Sequence, residues 1–207
     1  MGILGFIQAN FRFLSAGMVI SFSSSYGQTF FVALFAAQIM AAYGLSDGQW
    51  GAVYTVATIA SAIAIFWAGA VTDYFRVRGL AWVVMPALAF TCVLMAVNTG
   101  VIGLVVIVFL LRFLGQGMMS QLAVTAMARW FVARRGLALS ISAIGFAAGT
   151  ALFPVLFATL LQVFAWRSLW ILAAALVILT LPLVLWLLSA ERTPQSHVES
   201  SSACLLY

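Results

Sequence analysis

The chain has 207 residues, of which 66% are hydrophobic and 6% charged, against roughly 45–50% apolar and about 25% charged in a soluble domain. That balance excludes an ordinary soluble globular protein and makes the lipid bilayer the solvent for much of its surface. The net charge of +5 rests on nine arginines without a lysine. They lie singly or in pairs between apolar runs, which suits topology marking and not a nucleic-acid-binding face.

The opening, Met1-Gly2-Ile3-Leu4-Gly5-Phe6, has neither the basic start of a cleaved signal peptide nor a Ser/Thr at position 6 for N-myristoylation. A membrane span needs about 20 mostly apolar residues. The first such stretch covers 13–40, interrupted by Ser21, Ser23, Ser24, Ser25, Tyr26, Gly27, Gln28 and Thr29. A polar, glycine-containing centre is where a discontinuous helix lines a midplane site, although serines also serve close helix packing. Gly44-Leu45-Ser46-Asp47-Gly48 separates it from a second span over 50–73, and the charged stretch from Asp73 to Gly79 precedes a third over 80–98. Asn98-Thr99-Gly100 forms a tight connection into a fourth span, 101–128.

The fourth span carries Arg112 near mid-bilayer, where an arginine costs about 2.5–3.5 kcal/mol. Gln116 and Ser120 follow at i+4 and i+8 and would share its helical face. This polar stripe points either to a water-filled cavity or to an arginine that bonds carbonyls of a neighbouring helix. Arg129 to Gly136 leads to the fifth span, 136–164, in which Gly145 and Gly149 make a GxxxG pair ahead of Pro154. Small residues at that spacing let helices approach closely, and the proline bends the helix. A hairpin at Ala165-Trp166-Arg167 precedes the sixth span, 166–189.

These boundaries divide the chain into a six-helix bundle, 1–189, and a polar, serine-rich tail, 190–207, expected to be disordered. Cys92 lies in the third span and Cys204 in the tail, so they offer neither a disulfide framework nor metal-ligand spacing. Cys204-Leu205-Leu206-Tyr207 has only the outline of a prenylation box. With the N-terminus inside, Arg12, Arg76, Arg78, Arg129, Arg134, Arg135 and Arg192 fall on the cytoplasmic side and Arg167 alone outside, so both termini are expected to be cytoplasmic. A faint internal repeat accompanies this pattern. Gly27-Gln28 and Gly115-Gln116 lie 88 residues apart, and Arg78-Gly79-Leu80 and Arg167-Ser168-Leu169 lie 89 apart. Three helices per unit would make the second unit inverted.

No catalytic set can be assembled. His197 lies in the tail, and the four acids, Asp47, Asp73, Glu191 and Glu199, sit outside the apolar spans or at their ends. No enzyme activity, cofactor or metal is expected.

The second connection reads Gly69-Ala70-Val71-Thr72-Asp73-Tyr74-Phe75-Arg76-Val77-Arg78-Gly79. It resembles the major facilitator signature G-x-x-x-D-R-x-G-R-R, with Gly69, Asp73 and Arg78 matching and Arg76-Val77 standing where Gly-Arg is usual. The resemblance implies that Asp73 and an arginine, among Gly69, Arg76 and Arg78, latch the bundle halves in the outward-open state. Arg112-Phe113-Leu114-Gly115-Gln116-Gly117 is similar to the family's helix-four motif with its buried arginine. Trp130-Phe131, Arg134-Arg135-Gly136, Gly145, Gly149 and Pro154 are similar to members of the monocarboxylate and oxalate–formate type. The likeness extends through residue 189.

It implies an all-α membrane fold, one six-helix bundle of three-plus-three inverted repeats, equivalent to the N-terminal half of a twelve-helix transporter in the plasma or inner membrane. The expected function is secondary active transport by alternating access. The intramembrane Arg112 and the lack of a buried acid suggest an organic anion. Arg112, Gln116, Ser120, Tyr26 and Gln28 are the candidate substrate ligands, and Gly145, Gly149 and Pro154 the packing residues. The partners are the bilayer, a small-molecule substrate and a second six-helix half, either missing from a truncated chain or supplied by another one. The alternatives are a drug or metabolite exporter in which Arg112 is structural, and a non-transporting membrane scaffold.

Overall fold

The computed structural model describes residues 2–69, 72 and 75–189, so Asp73 and the 190–207 tail lie outside the described residues. Every regular element among the described residues is helical. They make six segments long and apolar enough to cross a membrane.

The first segment is built in pieces. Helix α1 covers Ile3–Ser23 and runs into a 3₁₀ turn at Ser24–Gly27, an extended Gln28, then α2 (Thr29–Leu34) and α3 (Ala36–Tyr43). The break follows from its serines: Ser24 Oγ donates to the Ser21 carbonyl at 2.7 Å, offering the backbone an alternative to the helical ladder. The helix begins at Ile3, ten residues before the predicted start, because its early polar groups are accommodated. Asn10 Nδ2 donates to the Phe6 carbonyl at 2.9 Å, and the Arg12 guanidinium stacks over Trp186 at 4.9 Å.

Gly44 ends α3 in the left-handed conformation, φ 64°, which a glycine adopts without Cβ strain. Helix α4 (Asp47–Ala68) then opens on a capping box, in which Ser46 and Gln49 satisfy each other's backbone N–H, with Asp47 in the first turn. Helix α5 (Val77–Val97) continues through Pro86 to the predicted Asn98-Thr99-Gly100 connection. The fourth segment is α6 (Val101–Leu111), a π-helical stretch at Arg112–Met119, and α7 (Ser120–Trp130). A 3₁₀ turn at Val132–Arg134 leads into α8 (Arg135–Leu161), which passes Pro154 without interruption, and α9 (Trp166–Leu187) completes the set.

The arginines separate by end. Arg12 donates to the Trp186 carbonyl and Ser189 Oγ, Arg134 lies 5.2 Å from the Phe6 ring, Arg135 bonds the Ala128 carbonyl and Arg129 bonds the Thr72 carbonyl. Those contacts tie together one end of the bundle. At the other, Arg167 donates to the carbonyls of Ala96 (2.7 Å) and Asn98 (2.8 Å), and Tyr43 Oη donates to the Asn98 carbonyl (2.9 Å). A cation there satisfies carbonyls that the last turn of α5 leaves open.

The principal pairings of the six segments are first with fifth, second with fourth, third with sixth and first with fourth. Exchanging segments one to three with four to six maps this set onto itself, as a pseudo-two-fold relation between inverted three-helix units requires. At the first–fifth crossing, Gly145 lies against the Met18 backbone and Gly149 against Ser25. Ser21 and Ser142 hydroxyls are 2.8 Å apart, and Ser142 Oγ donates to the Gly17 carbonyl at 3.0 Å. Close backbones with hydroxyls bonded between them are how helices associate where lipid competes for apolar surface. An aromatic core of Tyr26, Phe31, Phe35, Phe153, Phe157 and Trp170 joins the first, fifth and sixth segments by edge-to-face and tilted ring contacts. Outward residues such as Phe66, Trp67, Ile102, Val155 and Leu179 are exposed, the surface a bilayer or a partner bundle would cover.

Candidate functional site

Two helices are distorted where they cross. The first segment tightens into its 3₁₀ turn and extends at Gln28, while the fourth widens into the π stretch at the middle of Val101–Trp130. Gly27 and Gly115 occupy the crossing. A Cβ built on Gly115 would lie 2.5 Å from Gly27 Cα and 2.7 Å from its nitrogen, so the two backbones touch. These are the residues related by the 88-residue repeat, and equivalent positions meet where they lie on a two-fold axis. Non-α turns inside helices recur at functional sites, because they re-aim side chains.

What they aim here is Arg112, which is 8% exposed. Its Nη1 donates to Thr29 Oγ1 at 2.6 Å and to Gln116 Oε1, and its Cζ lies 5.5 Å from the centroid of Tyr54 on α4. Both hydrogen bonds use Nη1. Nε is buried without a partner. Every described group that touches the guanidinium is neutral: a hydroxyl, an amide and a ring. Charge-assisted bonds are worth about 1.5–3 kcal/mol each, and two of them offset the roughly 2.5–3.5 kcal/mol of placing an arginine at this depth. The orphaned Nε costs on the order of 1–3 kcal/mol that a bound acceptor would return.

The predicted site residues divide. Arg112 and Gln116 are bonded to each other, so the i+4 reading holds across the π stretch. Ser120 is drawn in through Gln28, whose Nε2 donates to Ser120 Oγ at 3.4 Å. Tyr26 lies apart from them. It is 2% exposed and packs on Phe31 and Phe153, so its place is the aromatic core. Of the latch residues, Gly69 ends α4 beside Gln121, Arg76 and Arg78 are exposed at the start of α5, and Asp73 is outside the described residues. Among the described residues no group of His, Cys, Asp and Glu could hold a metal ion.

Sequence reading missed Thr29 and Tyr54 as Arg112's neighbours. Thr29 had been grouped with the helix break. Tyr54, Thr58 and Ser61 recur at helical spacing on one face of α4, and that periodicity was legible. It was obscured by the alanines and isoleucines around it.

The profile of the Major Facilitator Superfamily matches residues 17–203. No curated protein matches the chain. The match takes in both distorted segments, the Gly27–Gly115 crossing and Arg112, and on that extent the chain belongs to the Major Facilitator Superfamily.

Proposed function

We propose that this chain forms the N-terminal half of a secondary transporter that carries a small organic anion by alternating access, with Arg112 as the anion's counter-charge. Family membership and six apolar segments make it a multi-pass membrane transport protein. The observation that supports the finer reading is a guanidinium at the centre of the bundle, 8% exposed, with only neutral described partners and a buried, unpartnered Nε. A cation kept without an acid inside a membrane favours an anion as its counter-charge. Gln116, Ser120 and Gln28 line the same crossing, and Tyr26 supports it from the aromatic core. Asp73 with Arg76 and Arg78, next to Gly69, would form the latch. The arginine-rich end, with both termini, would face the cytoplasm, in a plasma or inner membrane. The least buried segments, α4 and α8, would receive a second six-helix half.

Uptake of radiolabelled carboxylates into proteoliposomes tests the reading. Arg112→Ala is expected to lower uptake at least 100-fold, and Arg112→Lys to keep part of it. Unchanged uptake in both variants would remove Arg112 from the transport step.

A second reading has its own support. Because Nη1 ties Thr29 to Gln116, Arg112 is also placed to staple the first and fourth segments in an exporter of other substrates. Competition by lipophilic cations and not by carboxylates would favour it.

A further inference from the structure

Resting on the anion reading, we infer that Tyr54 and Thr58 complete the binding site, which holds a carboxylate of the substrate on the Nε–Nη2 edge of Arg112. Among the described residues, eight buried side-chain polar atoms have no hydrogen-bond partner, and three of them belong to Arg112 and to the α4 face packed on its segment: Arg112 Nε, Tyr54 Oη and Thr58 Oγ1. Tyr54 lies under the guanidinium. Thr58 follows one helical turn later on the same face of α4. Ile65, further along that face, meets Gly117, so Thr58 falls at a level between Arg112 and Gly117. The second and fourth segments are packed together along this stretch.

A buried hydroxyl without a partner is rare in a finished structure, because its desolvation goes uncompensated. Two on one face of the helix that carries Tyr54 under an equally orphaned guanidinium form a set of donors without an acceptor. The guanidinium fixes the geometry of the contact. Thr29 and Gln116 occupy Nη1, which leaves one fork, Nε and Nη2, of the geometry that takes a single carboxylate in two parallel hydrogen bonds. The other arginines within the six segments lie toward their ends, and Arg112 is the one near a centre. The two α4 hydroxyls then donate to the same carboxylate or to a hydroxyl or keto oxygen beside it. They set affinity and choice of substrate, and Arg112 sets the charge.

The test is ligand-induced thermal stabilisation of the purified 207-residue protein in nanodiscs, titrated with sodium propionate, lactate or succinate against sodium chloride. Propionate, lactate and succinate are expected to raise the wild-type midpoint, with chloride inert. Tyr54→Phe and Thr58→Val should each raise the half-saturating concentration on the order of tenfold, while the ligand-free midpoint stays level or rises, since each removes an unsatisfied hydroxyl. Hydroxyl variants that respond as wild type, or lose ligand-free stability, would overturn the inference while Arg112→Gln remains unresponsive and the anion reading stands. If Arg112→Gln responds as wild type, or no carboxylate shifts the wild-type midpoint, the anion reading fails and this inference with it.

Discussion

Gly115→Val is expected to yield no folded protein, with extracted material running as aggregate in size-exclusion chromatography. A Cβ at position 115 would lie 2.5 Å from Gly27 Cα and 2.7 Å from Gly27 N, where unbonded carbon atoms prefer about 3.5–4.0 Å. The obstacle is backbone on both sides, so no rotamer change relieves it. Overpacking a core typically costs about 1–3 kcal/mol and occasionally more. This site lies at the upper end, because parting the helices by about an ångström also draws Thr29 away from Arg112 and Gln28 away from Ser120. An uncompensated buried charge then adds to the steric cost. The expected loss exceeds about 3 kcal/mol, a large fraction of the roughly 5–15 kcal/mol that holds a typical domain folded. Gly136→Ala is the control. A Cβ there meets nothing within 4 Å, and alanine should leave the melting midpoint unchanged or slightly raised, since glycine is the poorer helix former by about 1 kcal/mol. A monodisperse Gly115→Val protein with a wild-type midpoint would contradict the crossing.

The second large effect separates two glycines that the GxxxG pattern treats as equal. Gly145→Ala would drive its methyl into the Met18 main chain, with the carbonyl carbon at 2.7 Å, and α1 cannot yield without breaking its own ladder. Gly149→Ala meets chiefly the Ser25 side chain, whose Cβ is 3.0 Å away and whose hydroxyl has no partner to lose. Rotation of that hydroxyl relieves part of the clash. Gly145→Ala is therefore expected to destabilise by about 2–3 kcal/mol and Gly149→Ala by about 1 kcal/mol, read as melting midpoints in the same detergent. Equal shifts, or the reverse order, would mean that α1 and α8 cross elsewhere.

The spans and the end-to-end sorting of arginines were legible because they depend on composition over about 20 residues, which lipid enforces without regard to detail. The boundary that went astray, the start at Ile3, depended on partners far along the chain: Arg12 reads as a polar stop until Trp186 and Ser189 are seen beside it. The Arg112–Gln116 pair was legible because it is local. Ser120 needed Gln28, and Tyr54 needed α4 to pack on the π stretch, so both belong to tertiary structure. Two glycines 88 residues apart make only a faint repeat in the sequence, and their contact at the crossing gives it physical meaning. The placement of Tyr26 among phenylalanines is invisible from its serine-rich neighbourhood, since its ring partner Phe153 comes from the fifth span.

The crossing of the two broken segments also has a consequence for biogenesis. The first span leaves the ribosome with a polar, half-unwound centre, and the fourth arrives with an arginine; each is costly in lipid alone, and each holds the groups that satisfy the other. Assembly therefore cannot keep step with synthesis. The first span must be sheltered, by the insertion machinery or at the interface, until a partner made some eighty residues later reaches the membrane. A chain halted after the third span should accordingly be cleared by membrane proteases faster, in pulse-chase labelling, than one halted after the fourth; equal lifetimes would mean that the first span is stable by itself.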